Sequence, residues 1–154
     1  MATQSTSNNT APRAVLLLPI AYVLHLAEEW FGGLSLWTMA VLGYELSLER
    51  FIIINAIAFP IFVTGALAAV YDSRIAWFGT SFAALLGLNG VLHTFGTLAY
   101  GRLMPGTITG LLIYIPLSVI VLRSAASRFS TIVLVRSIWL GVLLHGLVAL
   151  LAFL

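Results

Sequence analysis

The sequence predicts an all-α fold, a polytopic membrane helix bundle of about five transmembrane helices. Of the 154 residues, 61% are hydrophobic and only 8% are charged, whereas a soluble domain carries about 25% charged residues. The mean hydropathy is +1.09. Since a spanning helix needs roughly 20 apolar residues, the length allows about five passes with little chain left over. We therefore expect lipid to be the solvent of this chain.

Polar and glycine-containing turns divide the chain into a tail and a single transmembrane domain. Residues 1–11 are small and polar, which predicts a disordered tail, and residues 12–154 form the domain. Its apolar segments are 12–31, 47–70, 75–100, 105–122 and 129–154. Residues 34–43 follow a break at Gly32 and Gly33, and they predict a short interfacial or re-entrant piece.

The first apolar run has the position of a signal peptide. It continues into His25, Glu28 and Glu29, however, and no small-x-small cleavage site follows. We therefore interpret it as the first membrane helix.

Prolines and basic residues refine the later segments. Pro105 falls at the first turn of the fourth segment, where a helix tolerates proline best. Pro60 and Pro116 lie inside the second and fourth segments and predict kinks. Residues 123–128 predict a polar turn before the last segment.

The arginines predict an orientation, because cytoplasmic loops carry an excess of basic residues. Four arginines flank the N-terminal side and two flank the other: Arg13, Arg74, Arg123 and Arg128 against Arg50 and Arg102. We expect an integral, multi-pass membrane protein with its N-terminus in the cytoplasm.

Composition also excludes several classes of function. The chain has no cysteine, which excludes disulfides, thiolate metal sites and thiol catalysis. The arginines are scattered rather than arranged as a basic stripe, so no nucleic-acid partner is expected. The lipid bilayer is the expected environment, and the oligomeric state stays open.

The polar residues of the apolar segments are expected to meet in one leaflet. With alternating helix directions, His25, Glu28 and Glu29 fall near the outer end of the first span. Asn89 and His93 fall in the outer half of the third, Tyr114 lies in the fourth, and His145 lies beyond the midpoint of the fifth. Every histidine, and every glutamate except Glu45, is thus placed in the same half of the bundle.

Helical spacing sharpens this expectation. Residues three and four apart share a helix face, so His25 lies beside Glu28 and Glu29, and Asn89 lies beside His93. Two carboxylates at a helix C-terminal end also oppose the helix dipole. We expect a metal ion, a protonated histidine, a nearby arginine (Arg50 or Arg102) or a protonated glutamate to compensate them.

Plainer interpretations exist for each of these residues. Glu28 and Glu29 are also explained by solvation at the membrane interface. His93 is also explained by an interhelical hydrogen bond. His145 stands alone on an apolar helix, where a structural role and a functional role are equally compatible with the sequence.

These residues together resemble a known family. His25-Leu26-Ala27-Glu28-Glu29 matches an HxxEE signature. The second half of the pattern is Asn-x-x-x-His, a short basic loop, Pro-Gly-x-x-Thr and a later proline, which this chain supplies as Asn89 and His93, Arg102, residues 105–109, and Pro116. Over about residues 15–122 the chain resembles the HXXEE domain-containing family of small bacterial integral membrane proteins. The resemblance implies that His25, Glu28, Glu29 and His93 form an enzymatic or metal-binding centre, and it supplies no substrate. It also implies a location in a bacterial inner membrane. Met104 replaces the tyrosine that usually precedes the Pro-Gly element.

The first functional hypothesis is a membrane-embedded metalloenzyme. Imidazole and carboxylate suit a divalent transition metal such as Zn or Fe, with His25, Glu29, His93 and His145 as candidate ligands. Glu28 would act as general base or orient a histidine. The candidate catalytic residues are His25, Glu28, Glu29, Asn89, Arg102 and Tyr114. A site within one leaflet is reached most easily from lipid, so the expected substrate is a lipophilic, lipid-like or isoprenoid-like molecule.

Two alternatives stay open. A metal-free isomerase or cyclase needs only a protonated glutamate and a second residue that removes a proton, and it would also act on a lipophilic substrate. A small transporter or ion-binding module belongs to another class, in which Glu and His chains relay protons. The sequence shows no internal repeat and no polar residues paired in the inner half, which disfavours transport.

Overall fold

The structure, a computed structural model, describes residues 10–153. These residues form an all-α bundle without strands, and five of its segments are long and apolar enough to cross a membrane. The first span, Arg13–Phe31, begins with a 3-10 turn and continues as α1 (Leu18–Phe31). A short helix, α2 (Leu34–Leu42), follows. The other spans are α3 (Leu48–Tyr71), α4 (Ala76–Tyr100), α5 (Thr107–Ala126) and α6 (Thr131–Phe153).

The predicted segments are confirmed, with small shifts at their ends. The largest shift concerns Arg123, which was expected in a polar turn but lies in the last turn of α5. A basic residue there interacts favourably with the C-terminal end of the helix dipole. The predicted interfacial piece is the regular helix α2, which lies between Gly33 and Gly43, both with left-handed backbone angles.

The predicted disordered tail falls mostly on residues 1–9, which lie outside the described residues. Ala11, at the end of that predicted tail, is ordered and only 2% exposed, and its N–H donates to the carbonyl of Ala69 at 2.9 Å. The packed domain therefore begins slightly before residue 12.

Helix α4 lies at the centre of the bundle and packs against α3, α5 and α6. Glycines make the closest approaches. A Cβ on Gly90 of α4 would lie 2.7 Å from the carbonyl oxygen of Gly110 on α5, and one on Gly141 of α6 would collide with the carbonyl of Ser81. Small residues permit such backbone contact in membrane bundles, where lipid gives helices no hydrophobic reason to associate.

The outer surface is apolar while several interior side chains are polar. Phe31 is 87% exposed and Leu98 is 76% exposed, as expected where lipid surrounds the protein. Inside, the hydroxyls of Thr80, Ser81 and Ser137 each donate to a carbonyl of their own helix. This pairing removes the cost of burying them away from water.

Candidate metal centre

Three buried side chains meet where α1 crosses α4. His25 and Glu29 lie one turn apart on α1, and His93 faces them from α4. Glu29 Oε1 is 3.3 Å from His25 Nε2 and 3.2 Å from His93 Nε2. One ligand atom from each of the three residues lies within 4.8 Å of the others. Helical spacing and one interhelical contact thus create a site with two nitrogen donors and one oxygen donor.

The second nitrogen of each imidazole is held by a neighbour. His93 Nδ1 lies 2.7 Å from the carbonyl oxygen of Pro105, which can only accept, so this nitrogen carries a proton and donates. His25 Nδ1 lies 2.8 Å from Thr109 Oγ1. The Thr109 hydroxyl also lies 3.5 Å from the Gly106 carbonyl, and when it donates there its oxygen accepts from His25. Metal-binding histidines are oriented by partners of this kind.

The orientation of the rings has an electrostatic consequence. In a neutral histidine with its proton on Nδ1, Nε2 presents a lone pair. Both Nε2 atoms face one carboxylate oxygen of Glu29, and His25 Nε2 is buried with no hydrogen-bond partner among the described residues. Lone pairs at this separation repel, so a metal ion or a proton must lie between them, and the proton can belong to an imidazole or to the Glu29 carboxyl group.

Glu28 points away from this cluster and caps the start of α5. Its Oε1 accepts from the N–H groups of Gly106 (3.1 Å) and Ile108 (2.9 Å), and its Oε2 accepts from the N–H of Thr109 (2.6 Å). A carboxylate is favoured at a helix N-terminus by both hydrogen bonding and the dipole. Backbone amides therefore compensate Glu28, in place of the metal ion, protonated histidine, arginine or protonated glutamate that the sequence led us to expect.

Gly106 lets this turn approach both histidines. Its φ of +94° suits glycine. A Cβ there would lie 2.7 Å from His25 Cε1 and 2.7 Å from His93 Nδ1. The Pro-Gly-x-x-Thr segment thus holds Glu28 by its amides, His93 by the Pro105 carbonyl and His25 by the Thr109 hydroxyl.

A π-helical turn in α5 places Tyr114 against the cluster. The turn spans Gly110–Tyr114 and includes an Ile115 N–H to Gly110 carbonyl bond. Pro116 follows; it has no N–H to bond Leu112, and its ring crowds that carbonyl, which favours a local departure from the α-helix. The Tyr114 ring stacks on His25 with 4.3 Å between centroids.

The cluster opens into an apolar cavity of about 300 Å³. Its walls come from α1, α2, α3, α4, α5 and α6 and are mostly aliphatic and aromatic. The polar groups on the wall that belong to the predicted site are His25, Glu29, Asn89, His93, Tyr114 and His145. Ligand sites commonly combine an apolar wall with a few converging polar groups.

The structure brings most predicted site residues together, with three exceptions. Glu28 binds the amides at the start of α5 and does not line the cavity. Arg102 is exposed in the turn after α4 and is absent from the cavity wall, because Gly101 ends the helix and turns the chain outward. His145 lines the cavity from α6 but is not a member of the three-residue ligand group. Arg50, the other proposed compensating residue, instead bonds the Tyr44 hydroxyl.

Sequence reasoning missed the roles of Pro105, Gly106 and Thr109 in the site. The signal was present, since these residues form the Pro-Gly-x-x-Thr element of the motif. Thr97 was also missed: its hydroxyl accepts from the Met104 N–H at 2.9 Å and lies 2.7 Å from Thr107 Oγ1, which fastens the turn to α4. No sequence pattern singles out Thr97.

The fold and the cluster define a class: an all-α, multi-pass membrane protein with a buried His/Glu group that could hold a metal. The family model described as "Protein of unknown function with HXXEE motif" matches residues 16–121. The chain belongs to this HXXEE family, as its motifs indicated. Neither the curated proteins nor the solved structures contain a significant match.

Proposed function

We propose that this protein is a membrane-embedded, metal-dependent enzyme that acts on a lipophilic substrate. The observation that carries the proposal is the convergence of His25 Nε2 and His93 Nε2 on Glu29 Oε1. Their Nδ1 atoms are occupied by Thr109 and Pro105, so each ring offers its remaining nitrogen to one shared point.

The donor set favours a divalent transition metal such as Zn or Fe. Two imidazoles and a carboxylate suit these ions, and three protein ligands leave a coordination position open, as in catalytic sites. Such a metal supplies a Lewis acid within a water-poor site. Asn89, Tyr114 and His145 lie on the adjoining cavity wall, where they would contact a bound molecule.

The apolar cavity supports a lipophilic substrate. Apart from its few polar groups, its wall consists of side chains such as Leu86, Phe51 and Leu42. A charged or strongly hydrated molecule would lose its water there without replacement hydrogen bonds. A hydrocarbon-rich molecule has few hydrogen bonds to water, so it loses few of them on entering the cavity.

One alternative fits the same contacts. A proton on His25 or His93 would also separate the facing lone pairs and give an ion pair with Glu29 at the observed 3.2–3.3 Å. The protein would then be a metal-free acid–base isomerase or cyclase in which imidazolium and carboxylate exchange protons with the substrate.

Metal content of the purified protein distinguishes the two. We expect near-stoichiometric metal in the wild type by elemental mass spectrometry, and at least a tenfold loss in Glu29→Gln and His93→Ala, since each removes one of three ligands. His145→Ala is the matched control, because it removes a cavity histidine outside the ligand group. Folded wild-type protein without metal would overturn the metalloenzyme and favour the acid–base enzyme.

A further inference from the structure

A second apolar space adjoins the cavity on the lipid side of the bundle. It is a groove of about 610 Å³ between α3 and α6. Five residues line both the groove and the cavity: Ile54, Ala58, Phe62, Leu85 and Val148. The cavity and the groove therefore meet at these five side chains, which we call the junction, and Ala58 has the smallest of them.

The groove has the shape and chemistry of a site for a hydrocarbon chain. Along α3 its wall runs from Glu49 to Phe62, a distance of about 20 Å at the rise of an α-helix. One end of the groove, at Ser47, Glu49 and Arg50, is polar. The side chains between these ends, Ile53 and Ile57 on α3 facing Leu144 and Leu147 on α6, are aliphatic. An extended chain can lie there without displacing hydrogen-bonded water.

Besides His25 Nε2, two buried polar atoms of the cavity wall lack hydrogen-bond partners among the described residues. Tyr114 is 1% exposed, and its hydroxyl has no hydrogen-bond partner among the described residues. The Oδ1 atom of Asn89 is likewise buried and unpaired within that part of the chain. A buried donor or acceptor without a partner is costly, and both residues line the cavity. The Tyr114 hydroxyl can donate and Asn89 Oδ1 can accept, and a hydroxyl group of a ligand can pair with either of them.

We propose that the cavity and groove together bind a long-chain alcohol. Its hydroxyl group lies in the cavity with Tyr114 and Asn89, and its hydrocarbon chain passes Ala58 into the groove between α3 and α6. This inference deepens the proposed function by naming the substrate class, and it rests on that function only for the chemistry at the neighbouring His25, Glu29 and His93.

The test uses the full-length protein in phosphatidylcholine nanodiscs, labelled with a photoactivatable long-chain alcohol. Dodecanol and dodecane serve as competitors. We expect dodecanol to compete at least about fivefold better than dodecane with wild-type protein, and this preference to vanish in Tyr114→Phe, which keeps the ring on His25 but removes the donor. Equal competition by the two molecules in the wild type would overturn the proposal.

The junction is tested with two variants and a control. Ala58→Phe fills the passage, and we expect a severalfold loss of labelling. Ala56→Phe adds the same bulk on α3 at an exposed position that lines neither space, and it should label like the wild type. Val148→Phe narrows the passage from α6 and replaces Ala58→Phe if that variant does not fold. Unchanged labelling in the folded junction variants would overturn the proposal that the hydrocarbon chain passes Ala58 into the groove.

Metal content of each variant is measured in parallel, because Tyr114 and Ala58 are outside the ligand group. A preference for the alcohol in metal-free protein would leave this site standing and remove the metalloenzyme. A bound metal without a preference for the alcohol would overturn the alcohol site and leave the metalloenzyme standing.

Discussion

At the scale of single residues, the adjacent glutamates Glu28 and Glu29 have different partners and therefore different roles in the site. Glu29 turns inward to two histidines, while Glu28 turns to three backbone N–H groups at the start of α5. Since Glu28 has both oxygens in hydrogen bonds, we assign it the role of holding the turn, which in turn holds the histidines. The HxxEE and Pro-Gly-x-x-Thr elements are therefore two halves of one contact.

Gly106→Ala tests this contact directly. The new Cβ would press on both imidazoles at 2.7 Å and occupy a backbone conformation that disfavours alanine. We expect a loss of about 1–3 kcal/mol of stability together with loss of bound metal. Thermal unfolding by tryptophan fluorescence and elemental analysis measure the two effects.

Gly101→Ala is the matched control for that variant. Gly101 also has a positive φ, of +63°, but nothing lies within 4 Å of its added Cβ. It should lose about 1 kcal/mol from backbone conformation alone and keep its metal. A Gly106→Ala protein that binds metal like Gly101→Ala would contradict the proposed role of the turn.

At the scale of elements, the π-helical turn of α5 is the departure from regular structure that lies at the site. Such turns are rare and frequently occur at functional sites. The turn ends at Tyr114, whose ring stacks on His25. A regular α-helix through these residues would present Tyr114 at a different angle around the axis.

Pro116→Ala tests the cause of this turn. Alanine restores the N–H and removes the crowding at Leu112, so we expect the helix to become regular, Tyr114 to leave His25, and the preference for dodecanol to fall while the thermal unfolding temperature is maintained. Pro60→Ala in α3 is the control, because Pro60 is exposed and lines neither the cavity nor the groove. Retention of the alcohol preference in Pro116→Ala would argue against the turn's role.

At the scale of the whole molecule, the arginine distribution predicts which leaflet holds the site. With four flanking arginines on the N-terminal side and two on the other, we expect the N-terminus inside and the centre in the outer leaflet. Glu45, after α2, lies on the side expected to be outer, and Ser73, between α3 and α4, lies on the side expected to be inner.

Single-cysteine labelling measures this orientation, and the cysteine-free chain needs no background substitutions. We expect a membrane-impermeant maleimide to label Glu45→Cys in intact cells and Ser73→Cys only after lysis. Labelling of Ser73→Cys in intact cells, and of Glu45→Cys only after lysis, would show that the orientation is the opposite one and that the centre lies in the inner leaflet.

Much of the architecture followed from the sequence. Composition and apolar runs determined the five spans, because a chain with 8% charged residues must place its helices in lipid. The i, i+4 spacing placed His25 beside Glu29, and alternating helix directions brought His93 to the same leaflet. These inferences depend on periodicity and length alone, so no tertiary contact was needed to make them.

The tertiary structure decided what each residue contacts. Only the packing of α5 on α1 showed that backbone amides hold Glu28, because backbone N–H groups leave no mark in the side-chain pattern. Only the chain's turn at Gly101 showed that Arg102 faces outward. The apolar groove beside Ala58 likewise depends on the space between α3 and α6, and interhelical space is a property of packing that no single segment encodes.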